Sequence, residues 1–252
     1  MLVNATAKKL CELGLSTMAD ALSDQLAQPG PWSELSFEDR LGLLVDKEAD
    51  ARDSRRVKMR LRTAKLRYPA CVEDLDLRAP RGLDKSVVMD LASASWVAHH
   101  HNAVLTGATG VGKSWIACAL ANAAIRAGHS AYYVRAPRLC EELAVGRGDG
   151  RYAKLLAHLA RTELVVLDDF LLTPAPVEVC RDLLEVVEDR AQRRSTLVVS
   201  QLPIEHWHEA MADPTLSEAI LDRILCASHR IALKGPSMRR REPQATTSRE
   251  EP

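Results

Sequence analysis

The chain has 252 residues, 46% of them hydrophobic, enough for one large domain or a domain with an appendage built on a proper core. Its 34 lysines and arginines balance 34 aspartates and glutamates, so total charge names no partner and only the distribution can. No apolar run reaches the roughly 18 residues of a membrane span, and the start, Met1-Leu2-Val3-Asn4, has none of the pattern of a secretion signal. Six cysteines without a Cys-x-x-Cys pair argue against a zinc site or disulfide framework and suit a reduced, cytoplasmic compartment.

Residues 5–27 carry Leu10, Leu15, Met18, Leu22 and Leu26 at helical spacing, and Gln28-Pro29-Gly30-Pro31 ends them. Ser36 and Asp39 form an imperfect capping box. A long helix is expected from Phe37 into the Arg60s, with Leu41, Leu44, Val45 and Ala49 on its early apolar face. Its second half changes character. Between Ala51 and Pro69 stand Arg52, Arg55, Arg56, Lys58, Arg60, Arg62, Lys65 and Arg67 against the single acid Asp53. Charge of nearly one sign repels itself unless an anion lies close. A nucleic-acid backbone is the favoured anion; a subunit or domain contact and a solvated face are the alternatives. Spaced arginines suit phosphates, which position a protein without reading sequence, and no recognition-helix or zinc-finger signature accompanies them. Residues 1–68 are thus expected to form a helical DNA-binding and assembly domain, and 69–83, with Pro69 and Pro80, a linker.

An ATPase core is expected over 84–242. Asp84 to His99 is helical in pattern. His99-His100-His101 suggests a metal, but adjacent residues do not share a helix face and no carboxylate stands at i+4, so a polar loop fits better. Val104-Leu105-Thr106 is an apolar strand closing on Gly107-Ala108-Thr109-Gly110-Val111-Gly112-Lys113-Ser114, a phosphate-binding P-loop. Its glycines let the backbone curl so that several N–H groups face one anion. The helix expected from Lys113 to Ala127, closed by Gly128, adds its N-terminus to the same anion. Lys113 would reach the β- and γ-phosphates of ATP and Ser114 would hold Mg²⁺.

Ser130–Val134 is expected as a second strand, Pro137–Leu143 as a short helix, Gly146–Gly150 as a loose turn and Tyr152–Ala160 as a helix. Leu164-Val165-Val166-Leu167-Asp168-Asp169 is a continuous apolar run closing on acids, as a buried parallel strand delivers them to a sheet's carboxyl edge. A helix over Val177–Arg190, a strand over Thr196–Gln201, a helix over Ser217–Ala227 and a strand over His229–Leu233 complete an α/β pattern: a parallel sheet with helices on both faces. The tail from 243 to 252 is polar and expected to be disordered. Asp168 can hold Mg²⁺ directly or through water, and Asp169 is placed to orient the attacking water. Gln201, ending its strand, can lie beside the γ-phosphate. Arg223 has no carboxylate at i−4 or i+4, which suits the phosphate of a neighbouring subunit. Arg239 is either a phosphate sensor or the start of a basic tail.

Together the P-loop, Val166-Leu167-Asp168-Asp169-Phe170, Ser195–Pro203, Ala219–Arg223 and Gly235-Pro236-Ser237-Met238-Arg239 resemble the IstB-like transposition helper ATPases. These are AAA+ proteins similar to the helicase loader DnaC and the initiator DnaA. Ser200-Gln201-Leu202-Pro203 with Glu205-His206-Trp207-His208 is more specific to them than the P-loop is. The resemblance implies an ATP-driven homo-oligomer that binds and deforms duplex DNA without strong sequence preference and stimulates a cognate transposase. It implies a first-sensor role for Gln201, a trans-acting arginine finger at Arg223 and a second sensor at Arg239. Two departures stand out: Leu171 replaces a usual glycine beside the hydrolytic water, and Pro236 replaces a usual acid before Ser237. A helicase-loader-like adaptor would share every nucleotide residue but turn the basic helix to a protein, whereas a monomeric P-loop kinase leaves that helix without a task.

Overall fold

The computed structural model describes residues 2–238, and the chain separates into two compact units between Met59 and Arg60. Arg239 and the tail expected to be disordered lie outside the described residues. No described helix is long and apolar enough to cross a membrane.

The first unit holds α1 (Leu2–Glu12), α2 (Ser16–Ala27) and most of α3 (Phe37–Ala64). The 5–27 stretch is therefore two helices. Gly14 takes φ +75°, Gly14 N–H donates to Cys11 O at 2.9 Å and Leu15 N–H to Leu10 O at 2.8 Å, a left-handed closure that ends α1. The spacing of Leu10 and Leu15 conceals it. The capping box is present, since Asp39 N–H donates to Ser36 Oγ at 3.1 Å and that hydroxyl donates to Asp39 Oδ2 at 2.7 Å. Buried Glu48 on α3 accepts the Met18 N–H at 3.0 Å. That backbone bond, with Arg52 and Arg55 beside it, holds its carboxyl below the ordinary range against the desolvation that opposes it.

The second unit is a parallel sheet of β1 (Asn102–Gly107), β2 (Ala131–Arg135), β3 (Leu164–Asp168), β4 (Ser195–Ser200) and β5 (Ser228–Leu233), with helices on both faces. The strand order is β2-β3-β4-β1-β5, with Leu105 level with Val199 on one side and Ile231 on the other. Strands β3 and β4 are buried throughout, which is why they are apolar without alternation. The helices are α4 (Lys85–Ala92), α5 (Ser95–Ala98), α6 (Lys113–Arg126), α7 (Ala136–Asp149), α8 (Tyr152–Arg161), α9 (Val177–Arg190) and α10 (Pro214–Leu225). Because the chain leaves β1 for the far edge at β2 and returns through β3 and β4, the order reverses beside β1. The crevice at the carboxyl ends opens there.

Several expected boundaries move for local reasons. The Asp84–His99 stretch breaks at Ala94, φ +59°, after a helix that Asp84 caps by accepting the Ser86 N–H at 2.7 Å. The expected Gly146–Gly150 turn is mostly helix α7. At Gly146 an added Cβ would meet Tyr152 N at 3.1 Å, so the small residue admits α8, and only Gly150, φ +79°, ends the helix. Helix α10 begins earlier than expected, at Pro214, where Asp213 accepts the Leu216 N–H at 3.0 Å. The 69–83 stretch belongs to the second unit. Ala70 is buried and its carbonyl accepts from Asn122 of α6 at 3.1 Å. On the edge of the sheet away from the crevice, the guanidinium of buried Arg190 donates to the carbonyls of Leu159, Thr162 and Ser195. Burial lowers its pKa to about 9.

Candidate functional site

The P-loop joins β1 to α6. Gly107, Gly110 and Gly112 take φ of +142°, +89° and +96°, which side chains resist. A Cβ at Gly107 would lie 2.3 Å from the Leu233 carbonyl oxygen, and one at Gly112 2.7 Å from Arg81 Nη1. Lys113, opening α6, is buried, and its Nζ donates to Gly107 O at 2.7 Å and Ala108 O at 2.9 Å. The ammonium therefore lies across the mouth of the curl its neighbours make. Thr109 Oγ1 donates to Gln201 Oε1 at 2.6 Å, so the loop and the end of β4 are already in contact.

A cavity of about 550 Å³ covers this edge, lined by Thr109, Gly110, Gly112, Lys113, Ser114, Asp169 and Gln201 among others. The volume is that of a small-molecule cleft. Its remaining wall comes from residues before the sheet, namely Arg67, Tyr68, Asp74, Leu75, Asp76 and Arg81, and from Trp115 and Met238. The rings of Tyr68 and Trp115 lie 5.6 Å apart.

Asp168 closes β3 and is 1% exposed. Tyr133 of β2 donates its hydroxyl to Asp168 Oδ2, and the Asp169 N–H donates to Oδ1 at 2.9 Å. Burial, and then the bond to Asp168, push the Tyr133 phenol far above its ordinary pKa, so it remains a proton donor. Asp169 turns away at φ +55° and pairs with Arg135 Nε at 2.7 Å. Leu171 takes φ +51°, a conformation a glycine would accept without steric cost, so the loop holds a glycine-like path with leucine in place. Between them the Phe170 ring is fully buried, 5.0 Å from Trp207, which anchors the turn.

Hydroxyl and carboxylate oxygens are the hard donors a magnesium ion takes, and Ser114 and Asp168 supply one of each. Among the described residues no three His, Cys, Asp or Glu side chains gather as a metal cage. The donor set thus fits an ion whose other ligands are water and phosphate. His101 lies 5.9 Å from both His99 and His229, ring to ring.

Three expected residues stand elsewhere than their sequence neighbours suggested. Arg223 on α10 is paired within the protomer, its Nε to Glu188 of α9 and its Nη1 to Ala219 O at 2.9 Å. Arg67, expected on the DNA-facing run, lines the nucleotide-sized cavity instead, with Nη1 4.0 Å from Asp168 Oδ2. Lys65 lies over the Tyr132 ring at 5.5 Å. The run is also less unbalanced than its one acid implied. In the first unit Arg52 and Arg55 pair with Glu48, and Arg56 with Asp53. Among the described residues no carboxylate pairs with Lys58, Arg60 or Arg62. Sequence reasoning missed Tyr133 and Arg81. Arg81 is buried, donates to Val111 O at 3.2 Å and Asp76 O at 2.8 Å, and staples the P-loop to the cavity wall. Nothing in the pattern around Tyr133 marks it, and the run Arg81-Gly82-Leu83-Asp84-Lys85 fits the IstB-like family's entry to the core without pointing to a contact with the P-loop.

A family model described as IstB-like ATP binding protein matches residues 7–246. The chain is 46% identical over 242 residues to the insertion sequence ATP-binding protein y4pL of Sinorhizobium fredii, covering 96% of this chain and 98% of that one. It is 47% identical over 204 residues to the insertion sequence IS1162 ATP-binding protein of Pseudomonas fluorescens, covering 81% and 88%. The crystal structure of DnaI superposes with a TM-score of 0.57 at 20% identity, covering 66% of this chain and 92% of that one, a likeness of fold.

Proposed function

We infer the function from one premise: this chain belongs to the IstB-like ATP-binding protein family. It is a transposition-associated ATPase of an insertion sequence, and it acts as an ATP-assembled oligomer that grips and deforms duplex DNA for a cognate transposase. The observation that carries the reading is the convergence of the P-loop, Asp169 and Gln201 on one cavity at the sheet's carboxyl edge, with Asp168 buried directly behind Asp169. Insertion sequence proteins at 46% and 47% identity support transposition over a replication adaptor.

In this scheme the backbone N–H groups of Gly107–Gly112 and the N-terminus of α6 cradle the phosphates, with Lys113 turning from its two carbonyls to the γ-phosphate. Ser114 and Asp168 would hold Mg²⁺, which would supply neutralisation of the charge developing on the transferred phosphoryl group. Asp169 orients the attacking water, Gln201 senses the γ-phosphate through the loop it already touches, and Arg239 serves as second sensor. Arg223 leaves Glu188 to complete the site of a neighbouring subunit, so that nucleotide occupancy and assembly are coupled. Lys58, Arg60 and Arg62 then meet DNA phosphates, with Arg52, Arg55 and Arg56 dividing their charge between phosphate and their own carboxylates. Repetition along the oligomer multiplies weak contacts into tight, largely sequence-independent binding.

Electron microscopy and sedimentation with duplex DNA in ATP, ADP or no nucleotide test the scheme. DNA-bound polymers should form with ATP alone. Particles of one size under all three conditions would remove the coupling on which it depends.

A further inference from the structure

Asp168 is buried so deeply that its charge must be met within the protein. The Asp169 N–H takes Oδ1 and the Tyr133 hydroxyl takes Oδ2, but both are neutral donors. The cation that answers the carboxylate is Arg67, with Nη1 4.0 Å from Oδ2. Its guanidinium lies 5.3 Å over the Tyr68 ring and lines the cavity that Ser114 and Lys113 also line. Neither the DNA contacts nor the nucleotide roles given above account for an arginine there.

We propose that Arg67 is a positioning residue that holds the place of a divalent cation on Asp168, so that guanidinium and metal compete for one carboxylate. The proposal rests on the reading of Asp168 as the metal-side acid. Two cations beside one carboxylate repel each other, and although water screens the 40%-exposed Arg67, the buried oxygen they would share cannot serve both. A metal arriving with nucleotide therefore displaces Arg67, while Tyr133, which stays a donor, keeps the carboxylate oriented. Arg67 also follows closely on the end of α3 at Ala64, and Lys65 there takes φ +53°. Its release is consequently read in residues 65–68, just past the end of α3.

The test is equilibrium binding of a fluorescent ATP analogue to the full chain across a magnesium titration. Arg67→Ala should lower the magnesium midpoint by about tenfold, the scale of one charge pair in a half-open cavity. Arg67→Lys should return the midpoint towards wild type, since competition needs a cation and not a particular shape. Affinity for the analogue in EDTA should be the same in all three. In the wild type, hydrogen exchange of residues 65–68 should quicken with magnesium and analogue together and not with the analogue in EDTA. If alanine prevents folding, Arg67→Gln keeps a long polar side chain without the charge and repeats the measurement. An unchanged midpoint in the charge-free variants overturns the proposal. So does a large loss of affinity in EDTA, which would make Arg67 a direct phosphate ligand. Lys113→Ala binding the analogue as well as wild type would overturn the nucleotide reading itself, and this proposal with it.

Discussion

Replacing Glu188 by alanine tests whether Arg223 is held in reserve for a neighbouring subunit. Within the protomer Arg223 gives its Nε to Glu188 and one Nη to the Ala219 carbonyl. The two side chains are 29% and 55% exposed, so water screens the pair and it is worth about 0.2–1 kcal/mol. An arginine that must leave this partner to reach a phosphate gives up that much, and removing the partner returns it. Glu188→Ala should thus lower the ATP concentration needed for assembly on duplex DNA, by up to about fivefold if the pair is worth the full 1 kcal/mol. Arg223→Ala should abolish assembly and reduce turnover by about a thousandfold or more, the range for a trans-acting arginine. Sedimentation across an ATP titration measures the first effect and phosphate release the second. The reasoning is refuted if Glu188→Ala loses assembly and melting temperature to the same degree as Arg223→Ala, since the pair would then be packing between α9 and α10.

Gly110→Ala should weaken nucleotide binding and cost at least about 1 kcal/mol for a side chain at positive φ, because its Cβ would also lie 2.1 Å from Ser237 Oγ. Ser237→Gly in the same chain should relieve the collision but not the backbone term, as differential scanning calorimetry would register. Glu163 accepts from Ser130 N–H at 2.8 Å and pairs with His129 Nδ1 at 2.9 Å. Desolvation opposes its ionisation, yet these bonds prevail and its folded pKa lies below the unfolded value. Its contribution is therefore present above the unfolded carboxylate range and lost as pH falls through the folded value. Glu163→Gln should flatten the acid limb of stability followed by circular dichroism, and an acid limb of wild-type slope would remove the role. Charge reversal at Lys58, Arg60 and Arg62 should weaken DNA binding and reduce its salt slope by about 0.9 per lost phosphate contact, with melting temperature kept. Reversal at Arg52 and Arg55 should also unfold the first unit, because Arg52 donates to Gly14 O at 3.2 Å and Arg55 to Thr17 Oγ1 at 2.6 Å.

What the linear chain determined is what local rules control. The P-loop glycines are demanded by a curl of positive φ, and the apolar runs ending in Asp168 and Ser200 by strands buried on both sides. Both are visible in the order of residues alone, as are α9 and the capping of α3. The family resemblance rests on the same motifs and is borne out by the match over residues 7–246. Tertiary structure alone decided partners that chain distance hides. Glu48 lies before the basic run and neutralises part of it, Glu188 takes Arg223 from another helix, and Arg67 meets Asp168 across the sheet edge. A run of arginines looks uniform in sequence because charge is counted by position. In the fold Arg52, Arg55, Lys65 and Arg67 are each governed by the carboxylate or ring within a few ångströms, and for Lys65 and Arg67 only the packing of distant segments sets that.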